Sequence, residues 1–247
     1  MSATIPMWAT GPAEILQQAL NLMEENTDAS RRIAMILVDN AVELTLHTYL
    51  TLPERVTAVK LTRRQRDEYC NSFPNLLEGI EAVASSKVVG LNLGEFEWFH
   101  RLRNRLYHEG NGLTIEKRKV EVYAELSLTL FKALFDCELE LLTSENSSAA
   151  LVGEFFADWI SVERNIIEAA GGGERIPLSQ AVAILRKRGE LTEADYLALK
   201  QVQTIRNELV HGEAEPEEML RPSNMSKVKS LALSVGEVLA GMRVGVP

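Results

Sequence analysis

Two short stretches of this chain share a pattern with chemical content. Arg103-Asn104-Arg105-Leu106-Tyr107-His108 and Arg206-Asn207-Glu208-Leu209-Val210-His211 both read Arg-Asn-x-Leu-x-His, and a glycine follows each within two residues. The chain has four histidines, His47, His100, His108 and His211, so half of them sit in this motif. Histidine titrates near neutrality and serves as general acid or base. Arginine stays charged, and its planar fork matches phosphate oxygens. Asparagine can orient an imidazole or a ligand. Two such sets supply a base for a ribose 2′-OH, an acid for a leaving 5′ oxygen, and positive charge for the phosphorus between them. That inventory cleaves RNA without a metal. A histidine at a helix end before glycine is also what a capping residue looks like, and one set alone would not separate the two readings.

The spacing fits helices. Residues four apart share a helical face, so Asn104 lies beside His108 and Arg103 beside Tyr107, with His100 one turn before Asn104. Phe96, Phe99, Leu102 and Leu106 fall on the opposite side, as a core-facing stripe. In the second copy Gln203, Asn207 and His211 make the polar stripe and Val202, Ile205 and Leu209 the apolar one. Each motif is expected at a helix C-terminus. The negative end of the helix dipole raises a histidine pKa there, the neighbouring arginine lowers it, and the balance is expected near 7.

Apolar residues recur at helical spacing along the rest of the chain, and no alternating run of strand length stands out. Helices are expected over residues 12–25, 29–50, 61–72, 75–86 (with a break at Pro74), 94–109 and 115–142. Further helices are expected over 149–170, 178–188, 192–211 and about 224–241. The run Thr143-Ser144-Glu145-Asn146-Ser147-Ser148 is the linker candidate. It divides the chain into a helical domain at 1–146 and a smaller one at 147–247. Gly110-Asn111-Gly112 and Gly171-Gly172-Gly173 read as helix stops. The triple glycine lacks the preceding strand and following Gly-Lys-Ser/Thr of a phosphate loop.

The chain has 247 residues, 46% of them hydrophobic and 25% charged, an ordinary globular composition. Its formal net charge of −9 argues against a protein that grips duplex along its whole surface, though not against a small basic cleft. Cys70 and Cys137 form neither a disulfide framework nor a metal motif, and no His/Cys set has zinc spacing. No Gly-x-Ser-x-Gly supports a serine hydrolase. No uninterrupted apolar run of membrane-spanning length is evident, and the N-terminus lacks the charged and apolar regions of a secretory signal. A cytoplasmic protein without metal, cofactor or membrane partner is expected. Basic clusters at Arg63-Arg64-Gln65-Arg66, Lys117-Arg118-Lys119 and Arg186-Lys187-Arg188 read as solvated helix faces. Arg101, Arg103 and Arg105 flank the first motif and are candidates to steer a phosphate backbone. Trp8, Trp98, Trp159, Phe155 and Phe156 read as core or interface, and His100 as a packed histidine.

At the two motifs the sequence resembles the HEPN superfamily, whose hallmark is Arg-x-x-x-x-His, often with a polar residue after the arginine, near the end of a helix in an all-α bundle. The helix with Arg31-Arg32-Ile33-Ala34 and Asn40-Ala41-Val42-Glu43-Leu44 looks like an early helix of such domains. The likeness covers most of 12–142 by helix order and 149–241 mainly by the motif. It implies two HEPN-like helical bundles packed as an intramolecular pseudo-dimer. It also implies a metal-independent endoribonuclease with a composite site, of the kind found in toxins and antiviral effectors. The matching positions are Arg103, Asn104, His108, Arg206, Asn207 and His211 for catalysis. Arg101, Arg105 and Tyr107 are candidates for substrate binding, with Tyr107 able to stack a base. Single-stranded RNA is the expected partner; an antitoxin-like protein partner and a homodimer are left open. His108 and His211 are followed by Glu-Gly and Gly-Glu, so the subgroup with tyrosine two residues after the histidine is not supported. The alternative is a non-catalytic RNA- or nucleotide-binding module, or a protein-interaction scaffold.

Overall fold

The computed structural model describes residues 5–108, 114–137, 139, 148–171, 176–212 and 214–244. Among the described residues there are twelve α-helices, a 3-10 turn at Met7–Ala9 and no strand. The protein is all-α, as its periodicity indicates. It divides into two compact units, Met1–Ala149 and Ala150–Pro247.

In the first unit, α1 (Thr10–Glu25) and α2 (Asp28–Thr51) form a helical hairpin. Asn26 takes the left-handed conformation (φ 50°) and stops α1. Thr27 starts α2 with a reciprocal cap. Its Oγ1 accepts from the Ser30 N–H at 3.0 Å, and its own N–H donates to Ser30 Oγ at 2.9 Å. A short α3 (Glu54–Thr57) follows Pro53, then α4 (Arg63–Tyr69), α5 (Phe73–Ala84), α6 (Leu93–His108) and α7 (Lys117–Phe135). Pro74 does not merely break a helix; it occupies the first turn of α5, behind the Ser72 cap.

Helix α2 is the axis of this unit, packing against α1, α4, α5, α6 and α7. Ala34, Met35, Val38, Ala41, Val42, Leu46, Tyr49 and Leu50 are all buried along it. Its length and mean hydropathy of 1.2 would suffice for a membrane crossing, which the reading of the sequence had not expected. Its neighbours in the unit account for that apolarity, since a helix covered on most sides needs apolar residues on most sides. Phe96, Phe99 and Leu106 of α6 are buried, as the stripe predicts, with Phe96 and Phe99 beside Tyr123 of α7, whereas Leu102 is only half-buried.

The helix expected to run to residue 142 ends at Phe135. Asp136 is left-handed (φ 54°), and Lys87 donates to its carboxylate at 2.6 Å and to the Ala133 carbonyl at 3.4 Å. A cation on the last carbonyls closes the helix despite the leucines beyond it.

The second unit comprises α8 (Ser148–Ala169), α9 (Leu178–Arg188), α10 (Glu193–His211), α11 (Pro216–Met219) and α12 (Pro222–Val244). Phe155, Phe156 and Trp159 of α8 are in its core with Val202, Ile205 and Leu209 of α10. Gly171 (φ 111°) ends α8, and the Arg188 guanidinium donates to the Ala169 carbonyl at 3.3 Å. The basic run at the end of α9 therefore braces this helix end; Arg186 also pairs with Glu193 at 2.8 Å and covers the Tyr196 ring. The expected stop at Gly110-Asn111-Gly112, the 143–147 part of the expected linker and Gly172-Gly173 lie outside the described residues.

Candidate functional site: two helix ends and a buried carboxylate

Each motif occupies the last turns of a long helix, α6 in the first unit and α10 in the second. In both, the arginine bonds to the asparagine beside it. Arg103 Nη1 donates to Asn104 Oδ1 at 2.8 Å, and Arg206 Nη1 donates to Asn207 Oδ1 at 3.2 Å. A guanidinium only donates, so the carboxamide oxygen must face it. The amide NH2 is thereby the group each asparagine offers to an anion or a histidine. One turn later His108 and His211 close their helices, and both are exposed.

The surroundings of the two arginines differ. In the first unit the centre is Asp39 of α2, which is fully buried. Three donors converge on its carboxylate: Tyr123 OH at 2.8 Å, His100 Nδ1 at 3.0 Å and Arg103 Nε at 2.6 Å. A buried carboxylate is tolerated only with such compensation. Because it accepts and cannot donate, His100 must carry its proton on Nδ1. The His100 ring lies flat on Phe73, centroids 3.9 Å apart and 4° from parallel. Tyr123 is stacked on Phe99 at 4.4 Å. Burial, then the Asp39 charge, pushes the Tyr123 phenol well above its ordinary value, so it remains a donor throughout the physiological range. His100 is packed, as expected, but it also bonds to the carboxylate that holds a motif residue.

Arg103 is correspondingly fixed. Besides Asp39 and Asn104, its Nη2 donates to Asn40 Oδ1 at 3.4 Å and lies 3.6 Å from Glu43 Oε2. These three hydrogen bonds use three of five guanidinium N–H groups. Its side chain is 16% exposed, so part of it reaches the surface. Tyr107 is 65% exposed and meets the His108 ring edge-on at 5.2 Å.

In the second unit Arg206 is buried, at 8% exposure, while Asn207 and His211 are exposed. Arginine, amide and histidine do not all project from this helix end as expected. Partial withdrawal from water, then the Arg206 charge, holds the His211 pKa below its ordinary value of 6.5. The expected balance near 7 gave the helix dipole and the arginine equal weight and omitted desolvation. The glycine after this motif has a local cause. A Cβ on Gly212 would lie 2.6 Å from the Glu208 carbonyl oxygen, so the chain leaves α10 where only glycine fits.

The candidate steering residues are placed unequally. Arg101 is exposed and pairs with Glu97 one turn earlier; Arg105 is exposed. Lys117, Arg118 and Lys119 pair with Glu121 and Glu116 at the start of α7, but Arg118 and Glu121 are buried, so this run is not the solvated face expected of it.

One grouping has the composition of a cation site. Asp39, Glu43 and His100 bring ligand atoms within 4.8 Å of one another. The Arg103 guanidinium already lies among them, 2.6 Å from Asp39 and 3.6 Å from Glu43, and supplies the positive charge a divalent ion would bring. The residues fit an arginine better than a metal.

Asp39, Asn40, Glu43 and Tyr123 were not identified as site residues from the sequence. The available signal was Asp39 itself, a lone acid inside the apolar run Ala34–Val42 of a central helix, which needs a partner. Comparison of the chain with protein-family models, curated proteins and solved structures finds no match to any of them.

Proposed function

We propose that this protein is a metal-independent endoribonuclease with two HEPN-like helical bundles acting as a pseudo-dimer. Arg103, Asn104 and His108 together with Arg206, Asn207 and His211 would supply its chemistry. The observation that carries this reading is the recurrence, in both units, of an arginine bonded to an asparagine one turn before an exposed, helix-terminal histidine. Capping accounts for one histidine at a helix end; it does not account for the same three-residue arrangement twice.

The chemistry divides between the histidines. His211, held below its ordinary pKa, is neutral at pH 7 and takes the proton of a ribose 2′-OH. The 2′ oxygen attacks phosphorus, and the bond to the 5′ oxygen breaks. His108 gives that oxygen its proton. The products are a 2′,3′-cyclic phosphate and a 5′-OH end, with no metal or water consumed. The asparagine NH2 groups and the outward edge of Arg103 stabilise the charge on phosphorus. Tyr107 offers a face for a base, and Arg101 and Arg105 add positive charge nearby. The proposal requires both sets to act on one phosphate, within one chain or across two copies. DNA lacks the nucleophile and is spared. A toxin or antiviral effector in the cytoplasm would use such an activity.

A second reading rests on one observation: Arg103 is engaged by Asp39, Asn40 and Glu43, which also suits a rigid binding module or scaffold that holds RNA or a nucleotide without cleaving it. Incubation of end-labelled RNA with the full chain in excess EDTA separates the two. The nuclease produces fragments ending in cyclic phosphate and leaves an RNA with 2′-deoxy substitution intact. The binding module retards both RNAs and cleaves neither.

A further inference from the structure

Asp39 belongs to α2, 64 residues before Arg103 in sequence, and no step of the proposed reaction uses it. From its position we infer that Asp39 is a positioning residue. It holds the Arg103 guanidinium by Nε so that the Nη edge faces outward to a phosphodiester. This rests on the proposed role of the Arg103 site in binding RNA.

The geometry argues as follows. An arginine has several soft torsions and loses that freedom only if something fixes its head. Asp39 fixes the Nε side at 2.6 Å, and Asn104 and Asn40 fix the Nη side at 2.8 and 3.4 Å. Asp39 is itself fixed, by Tyr123 at 2.8 Å and by His100, which is clamped on Phe73. Every group that touches the carboxylate is held by an aromatic stack or by the motif. The chain α7–Asp39–Arg103–Asn104 therefore links the core of the unit to the first motif.

The inference has an unusual sign. Asp39 is negative and lies directly behind a cation proposed to bind an anion. If charge alone mattered, Asp39→Asn would remove a repulsive charge and tighten binding of a phosphate backbone. If Asp39 acts by positioning, Asp39→Asn frees the guanidinium and weakens binding.

The test uses the full chain and a fluorescent oligonucleotide with 2′-deoxy substitution at every position, which the proposed chemistry does not cleave. Asp39→Asn should weaken binding about tenfold, as Arg103→Gln does, because one charge-assisted contact is lost in each. The double variant should be no weaker than either single variant. Tyr123→Phe removes one of the two groups that fix Asp39 without touching Arg103, and should weaken binding less than Asp39→Asn does, because His100 still holds the carboxylate. Unchanged or tighter binding by Asp39→Asn overturns the inference, as does a wild type that does not bind. Binding as inferred by a wild type that leaves RNA uncut sinks the nuclease reading and keeps the positioning role. Should Asp39→Asn not fold, the wild type decides: the Arg103 Nε–H must exchange with solvent far more slowly than that of exposed Arg105, and equal rates refute it.

Discussion

Replacing Asp39 by alanine tests the account of the first site at its centre. The substitution removes an acceptor that serves Arg103, His100 and Tyr123 in a position without solvent access. Arg103 and His100 side chains are each 16% exposed, so solvent replaces the lost acceptor only in part. Tyr123 is fully buried, and its hydroxyl is left with no acceptor at that position. Removing one partner of a buried ion pair costs about 3–5 kcal/mol, chiefly because the other charge stays behind. Domains are stable by only about 5–15 kcal/mol, so Asp39→Ala should consume about a fifth or more of the stability of its unit. The same reasoning predicts a rescue. Asp39→Ala combined with Arg103→Met removes both charges and should restore at least half of the loss, since an apolar replacement for a buried pair is close to neutral. Urea unfolding followed by circular dichroism measures each variant, with two transitions fitted because the chain has two units. A loss under about 1 kcal/mol for Asp39→Ala, or an additive double variant, would refute the claim that this carboxylate compensates buried charge.

Three other predictions follow from particular residues. Burial, then the charge of Glu121, raises the Glu125 pKa to about 7 from 4.5. The unfolded chain ionises first, so stability falls as pH rises from 4.5 to about 7 and is then constant. Glu125→Gln should be neutral at pH 4 and stabilising by up to ~3 kcal/mol at pH 8, and equal effects at both pH values would count against it. His211 should titrate below 6.5 by NMR and move upward in Arg206→Gln; its share of stability is present above 6.5 and lost as pH falls through the lowered value. A Cβ on Gly79 would meet the Tyr69 ring at 2.8 Å and Leu50 at 3.0 Å, so Gly79→Ala should lower stability by roughly 1–3 kcal/mol in thermal unfolding.

What the sequence revealed depended on how local the cause was. The helices and the buried stripes Phe96–Phe99–Leu106 and Val202–Ile205–Leu209 follow from periodicity, which is a property of neighbouring residues. The placement of both motifs at helix ends was legible for the same reason, because glycine follows each. Asp39 was not, since its partners are 61 to 84 positions away and only the packing of α2, α6 and α7 brings them together. The end of α7 was misjudged because the leucines after Phe135 continue a helical pattern, while Lys87, from another element, supplies the cap at Asp136. The burial of Arg206 was missed because a stripe of polar residues says nothing about a side chain at its edge. Four-residue helices such as α3 and α11 are too short to show a period at all.

The central claim, that the two Arg-Asn-x-x-x-His sets cleave RNA together, is tested most directly by one comparison. Labelled RNA is incubated in excess EDTA with the wild type, His108→Ala and His211→Ala, after each variant is shown to be folded. The account predicts cleavage by the wild type and a loss of at least about a hundredfold in both variants, the range for removal of a general acid or base. Full activity in either variant, or an inert wild type, would contradict it.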